Sequence, residues 1–169
     1  QIMTNLNICP SGSVIGARLL PDNRIAGVMF TGSTETAAVI NKALADRQGA
    51  IVPFVAETGG QNAMIVDSSA LPEQVIEDVI RSSFDSAGQR CSALRVLYVQ
   101  DDVAETMITM LKGAMAELSM GNPGLLSTDV GPVIDDASKQ TLQDHYDRMT
   151  KEGELLYQVS VPSDAGHFF

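Results

Sequence analysis

The chain has 169 residues, of which 44% are apolar and 19% charged, the balance of a globular protein with one domain or parts of two. Its formal net charge of −10 argues against a nucleic-acid surface and against docking on anionic lipid, since both need clustered Lys and Arg. No run approaches the roughly 20 apolar residues of a membrane span.

The opening Gln1-Ile2-Met3-Thr4-Asn5 has no basic region followed by an apolar one, so no signal peptide is expected. With Gln at position 1, the chain is expected to be trimmed or cut from something larger. Cys9 and Cys91 are too few and too far apart for a disulfide framework, which suggests a reducing cytoplasm. With His145 and His167 they make no convincing metal site, so no metal is expected.

Strands and helices alternate along the chain. Gly12-Ser13-Val14-Ile15-Gly16 reads as a glycine-containing turn that lacks the full G-x-G-x-x-G pattern. Gly27-Val28-Met29-Phe30-Thr31, ending at Gly32, suits a buried parallel strand. Ser33-Thr34-Glu35-Thr36 then suits a helix start, with Ala37, Ile40, Ala43 and Leu44 at helical spacing. That helix should fade near Gln48-Gly49. A second strand is expected in the run from Ile51, beginning at Pro53, which completes a β-α-β unit. A third, Ala63-Met64-Ile65-Val66-Asp67, follows Gly59-Gly60. Pro72 can open a helix whose apolar stripe is Val75, Ile76, Val79, Ile80 and Phe84. It should run out by Gly88. Residues 95–100 read as a strand.

Asp102 and Glu105 look like a capping pair for a long helix that carries Val103, Met107, Leu111, Ala114 and Leu118 and ends at Gly121. After a loop at 122–128, Asp135 or Asp136 opens a last helix with Leu142, Tyr146 and Met149 inward. Residues 155–159 read as a strand and 162–169 as an irregular tail. The pattern is an α/β fold with mainly parallel strands, in which ligands bind beyond the carboxyl ends of strands.

Three stretches carry chemistry. At Phe30-Thr31-Gly32-Ser33-Thr34-Glu35 a strand ends and a helix begins, so free N–H groups and the helix dipole favour an anion such as a pyrophosphate. An ordinary capped helix is the competing reading. At Glu57-Thr58-Gly59-Gly60 a carboxylate stands at a strand end beside two glycines, a placement that suits a partly desolvated general base. A solvated or capping carboxylate is the alternative. At Ser86-Ala87-Gly88-Gln89-Arg90-Cys91-Ser92 a cysteine lies in a turn between helix and strand, where Arg90 or backbone N–H groups could favour the thiolate. Here the alternative is a buried structural thiol, which is the reading for Cys9.

In order and spacing these three motifs, with Met120-Gly121-Asn122-Pro123 and Gly131-Pro132-Val133-Ile134 downstream, resemble the aldehyde dehydrogenase superfamily. The stretches from Glu57 to Ala70 and from Ser86 to Arg95 resemble the bifunctional proline utilization A proteins. Those proteins join an FAD-dependent proline dehydrogenase to an L-glutamate γ-semialdehyde (1-pyrroline-5-carboxylate) dehydrogenase.

The resemblance implies a partial aldehyde dehydrogenase fold. Residues 1–59 would be the C-terminal part of a Rossmann-like NAD-binding domain, and residues 60–169 the N-terminal part of an α/β catalytic domain. It implies Cys91 as nucleophile and Glu57 as general base, opening onto one cleft. Gly32 and Ser33 would contact the pyrophosphate of NAD, Thr58 and Gly59 would lie near the nicotinamide, and Gly12 and Gly16 loosely match the glycine turn on the adenosine side. FAD would belong to a separate module. The expected partners are a small aldehyde substrate, the remainder of the parent chain, and further copies of the intact enzyme.

The family's oxyanion asparagine, ribose-binding lysine and substrate-carboxylate site have no counterpart in the sequence, so the chain alone is expected to be inactive. Two other readings stay open: an aldehyde dehydrogenase of different substrate preference, and a non-catalytic packing or oligomerisation module.

Overall fold

The computed structural model describes residues 12–162 and 166–169; Cys9 lies outside them. The chain forms two compact units, Gln1–Gly59 and Gly60–Phe169.

In the first unit, α1 (Gly12–Leu19) precedes β1 (Val28–Gly32), α2 (Thr34–Ala45) and β2 (Phe54–Thr58). The glycine-containing turn expected at residues 12–16 is thus the start of a helix. Val14, Ile15, Ala17, Leu19 and Leu20 supply helical apolar spacing, and Leu20 is buried. A Cβ at Gly16 would meet nothing within 4 Å, so this glycine marks no tight turn. β1 and β2 pair in parallel, from Val28 opposite Phe54 to Gly32 opposite Thr58, and α2 packs on both strands. The helix stops at Ala45, a few residues before Gly49. Just beyond it the Arg47 guanidinium donates to Asp22 O at 3.0 Å and to Ile25 O at 3.3 Å, which fixes the link between α1 and β1. Arg24 grips the Asp22 carboxylate with Nη2 at 2.6 Å and, mainly through that side-chain bond, lowers its pKa to about 2.

The second unit contains β3 (Asn62–Val66), α3 (Pro72–Phe84), a short 3-10 turn (Asp85–Gly88), β4 (Leu94–Val99), α4 (Asp101–Ala116) and α5 (Asp136–Glu152). β3 and β4 pair in parallel, with a register shift between Asn62 and Ala63. Side chains alternate across the pair. Val66 joins Ile76 of α3 and Met107 of α4 in a buried core, with Met64, Leu97 and Val99 against it. On the opposite face Ile65 and Tyr98 are exposed.

Pro72 occupies the first turn of α3, where its missing N–H costs nothing. Asp135 caps α5, accepting from Ser138 N–H at 2.8 Å. A hydrogen bond from the Ser138 side chain, and after it this backbone one, hold its carboxyl below the usual value.

Four expectations fail here. Asp102 and Glu105 do not cap α4, because the helix starts at Asp101 and its N-cap, Gln100, makes no side-chain cap bond. Gln100 instead ties β4 to β3: its N–H donates to Val66 O and its Oε1 accepts from Ser68 N–H. Gly121 does not end α4, which stops at Ala116; it donates to Val130 O beside an isolated parallel bridge between Met120 and Val130. Met149 points outward and is exposed. Residues 155–159 form no strand; Leu155, Tyr157 and Val159 instead line a cavity with Phe84 and Tyr146. Phe168 at the chain end is buried, with His167 O accepting from Val133 N–H at 3.0 Å.

Met107, with 2% of its surface exposed, closes the core between α4 and β3. Met107→Ala should lower the unfolding free energy by about 2–5 kcal/mol. Leu126→Ala, at a fully exposed side chain, should change it by less than about 0.5 kcal/mol. Urea titration followed by circular dichroism measures both.

Candidate active site

In the first unit, the parallel register sets Gly32 beside Thr58 and Thr31 beside Glu57. Gly32, Ser33, Thr58 and Gly59 therefore gather at the carboxyl edge of one sheet, where open α/β sheets take their ligands. Ser33 caps α2, its Oγ accepting from Thr36 N–H at 3.1 Å. Glu35 in the first turn has its carboxyl held below the usual value by its own backbone N–H and then by Ser33.

Gly16, Leu20, Gly32, Ser33, Thr36 and Ile40 line a cavity of about 960 Å³. It has an apolar wall at one side and the amides of a helix start at the other. A lining of this kind has the chemistry that a base and a phosphate would need, the phosphate at free amides of a helix start. Gly12 begins α1.

Glu57 lies one residue before the end of β2 and is exposed. The partial desolvation expected of it is not found, because nothing in its unit covers this end of the strand.

In the second unit, Cys91 is a free, exposed thiol, so it is not a buried structural cysteine in this chain. Its surroundings are ordered by hydrogen bonds from both sides. Ser86, Ala87 and Gly88 take φ of 57°, 52° and 67° in succession. For the two L-residues that conformation costs on the order of 1–2 kcal/mol each. Arg95 Nη2 braces the run by donating to Gly88 O at 2.6 Å. Gln89 reaches the segment before α5: its Nε2 donates to Pro132 O at 3.4 Å and its Oε1 accepts from Ile134 N–H at 2.9 Å.

Arg90 donates to Arg81 O at 2.8 Å and to Ser82 O at 3.3 Å, carbonyls of the last turn of α3, the first of which also accepts from Asp85 N–H. The guanidinium expected to favour the Cys91 thiolate is therefore committed to a helix end. Residues 90–93 form a turn closed by Ala93 N–H donating to Arg90 O at 3.2 Å. Asn62 Nδ2 donates to Cys91 O at 2.7 Å and to Ala93 O at 2.9 Å.

Asn62, Gln89 and Arg95 were not singled out in the sequence. Their partners are backbone carbonyls and amides, which leave no residue-type signature; Asn62 beside Gly60, at the start of a strand, was the one available hint.

Glu57 belongs to the first unit and Cys91 to the second. His145 Nδ1 lies 3.0 Å from Arg148, and His167 Nδ1 lies 2.8 Å from Asp136. Among the described residues no three His, Cys, Asp or Glu side chains gather as metal ligands. Among them, too, no helix is long and apolar enough to cross a membrane.

The sequence profile of the aldehyde dehydrogenase family matches residues 4–169, and the chain belongs to that family. Its α/β fold is part of an aldehyde dehydrogenase fold. Among named relatives it is similar to the bifunctional protein PutA of Salmonella typhimurium, with 57% identity over 88% of this chain and 12% of that protein. It is similar also to the PutA of Rhizobium meliloti, with 50% identity over 95% of this chain and 13% of that one. A crystal structure of a Bradyrhizobium japonicum proline utilization A variant superposes with a TM-score of 0.89 at 53% identity, over 94% of this chain and 16% of that one. The chain thus spans about an eighth of the length of the curated relatives it matches.

The left-handed run before Cys91 gives a direct test. A Cβ at Gly88 would stand 2.9 Å from Ser83 O and 3.1 Å from Arg95 Nη1. Gly88→Ala should therefore destabilise the second unit by at least about 1–3 kcal/mol, adding a clash to an unfavourable φ. Thermal denaturation should show the lowered midpoint.

Proposed function

We propose that the chain is part of an NAD-dependent dehydrogenase that oxidises L-glutamate γ-semialdehyde to L-glutamate in proline catabolism. The observation that carries this reading is Cys91: an exposed thiol on a turn pinned from both sides, in a chain of the aldehyde dehydrogenase family that closely resembles proteins named for proline utilization. The same reading places residues 1–59 in a nucleotide-binding domain and residues 60–169 in a catalytic one. It implies a parent chain that supplies the remaining site residues and works in the cytoplasm as a homo-oligomer, with any FAD held in a separate module.

The Cys91 thiolate adds to the aldehyde carbon. The C–S bond forms as the carbonyl electrons move to oxygen, giving a thiohemiacetal. The Cys91 N–H donates to that oxyanion. NAD, when bound, supplies the acceptor for the hydride that leaves the former aldehyde carbon. A thioester then remains on Cys91. Glu57 takes a proton from water as the water attacks this thioester, and the C–S bond breaks to release glutamate and the thiolate. Gly32 and Ser33 would bind and orient the pyrophosphate, Thr58 and Gly59 would lie near the nicotinamide, and Gly12 and Gly16 would serve the adenosine side.

In the full-length protein, Cys91→Ala should reduce turnover by at least about 10⁴-fold. Glu57→Gln should keep a first-turnover burst of NADH while slowing the steady rate by about 10²–10⁴-fold. Rapid-mixing absorbance at the NADH band reads both phases; wild-type burst and steady rate in Glu57→Gln would rule out this carboxylate as the base. Assays with several aldehydes test the substrate, and a faster reaction with an aldehyde lacking the α-amino acid group would overturn the assignment.

A Cβ at Gly32 would stand 2.5 Å from the Phe30 ring, so Gly32→Val must shift that ring and alter the cavity that both residues line. It should raise the KM for NAD by about tenfold or more, equivalent to roughly 1.4 kcal/mol. An unchanged NAD titration would count against the pyrophosphate assignment.

A further inference from the structure

We infer that Asn62 is a positioning residue for Cys91, which sets the thiol and its backbone N–H in attacking geometry by holding two carbonyls of the nucleophile turn. The inference rests on the reading of Cys91 as the nucleophile.

Asn62 opens β3 opposite Leu94, and the next pair is Ala63 with Val96. The extra residue on β4 is a bulge, a feature that re-aims side chains at the end of a ladder. From this position the planar amide places one hydrogen on Cys91 O at 2.7 Å and the other on Ala93 O at 2.9 Å. The two acceptors belong to the turn at 90–93, closed by Ala93 N–H on Arg90 O. Cys91 is the first corner of that turn. With the turn closed and both carbonyls held by one rigid group, little freedom is left in the Cys91 backbone. The direction of its Cα–Cβ bond is fixed with it.

Among the described residues the Cys91 N–H has no hydrogen-bond acceptor, so the same clamp leaves that donor free to meet an oxyanion.

The chemistry demands an amide. Aspartate, when ionised, accepts only, and would turn a carboxylate toward two carbonyl oxygens; serine has one hydrogen to give; leucine has none. The neighbourhood is also shaped around the amide. A Cβ at Gly60 would lie 3.2 Å from Asn62 Oδ1 and 3.8 Å from Cys91 O, so a side chain there would press on the clamp.

The clamp is separate from what holds the unit together. The ladder between β3 and β4 is made by backbone groups, and the core at Val66, Ile76 and Met107 involves the far end of β3. Loss of the clamp should therefore disturb the turn more than the fold.

The test uses the full-length protein with Asn62→Leu, close in shape and without donors, and Asn62→Ser, with one donor. Three quantities are measured per folded molecule: kcat, the KM for NAD, and the rate of Cys91 alkylation by iodoacetamide across pH. Asn62→Leu should lose about 10- to 100-fold in kcat, the scale of a misplaced reacting group. The KM for NAD should stay within about twofold, since no group contacting NAD is touched, and the alkylation profile should be displaced from wild type. Asn62→Ser should recover part of kcat. A kcat within twofold of wild type in Asn62→Leu, or an alkylation profile superimposable on wild type, overturns the inference. If Asn62→Leu does not fold, Asn62→Ser is judged by the same two readouts. Cys91→Ala separates the levels: if it retains wild-type turnover, the nucleophile assignment falls and this inference with it. If Cys91 is required while Asn62 is indifferent, only the positioning role falls.

Discussion

Among the described residues each sheet consists of two strands running the same way, and a parallel pair cannot be closed by a tight turn. The chain must leave one end of the sheet, pass over a face and re-enter at the other end. That constraint puts α2 on β1 and β2, and α3 and α4 against β4. It also sorts residues by strand end. The carboxyl edge of the first sheet collects Gly32, Ser33, Thr58 and Gly59 through the pairing of Gly32 with Thr58. The amino edge of the second sheet collects Asn62 and the turn at 90–93 through the pairing of Asn62 with Leu94. Only Gly59, Gly60 and Gln61 separate the exit of one sheet from the entry of the next.

Around Cys91, unfavourable backbone and favourable hydrogen bonds are set against each other. Three successive left-handed residues are not a conformation the chain adopts by itself. They persist where the surroundings over-determine them. Here Arg95 holds Gly88 O, Arg90 holds the carbonyls at the end of α3, and Gln89 holds both a carbonyl and an amide of residues 132–134. Each of these bonds joins a side chain to the main chain, so the loop is shaped without burying a charged pair.

Local chemistry made much of the fold legible. Ser33, Pro72 and Asp135 announce helix starts through their own capping or φ preferences, and the structure begins helices there. Among the described residues the four strands follow apolar runs that end at glycine, glutamate, aspartate or glutamine. What misled was glycine or apolar content without context. Residues 12–16 contain two glycines, yet the apolar residues around and after them decide for helix. Residues 155–159 have strand-like composition and form no strand. Met149 has helical spacing with α5's inward residues but nothing to pack against. For the candidate site, reactive residue types stood out, as Cys91, Glu57 and Gly32 did. Asn62 did not, because its partners lie 29 and 31 residues away and are backbone atoms common to every residue.

The alternation that buries Val66 leaves Ile65 82% exposed, and Met29 on β1 is 86% exposed. Both lie on two-stranded sheets whose outer ladders offer unpaired N–H and C=O groups, the template on which foreign strands assemble. A net charge of −10 keeps copies apart in dilute buffer through mutual repulsion, and that protection weakens as salt shortens the screening length. The colloidal behaviour of the isolated polypeptide is therefore governed by ionic strength: well dispersed when salt is low, and prone to edge-to-edge association when salt is high.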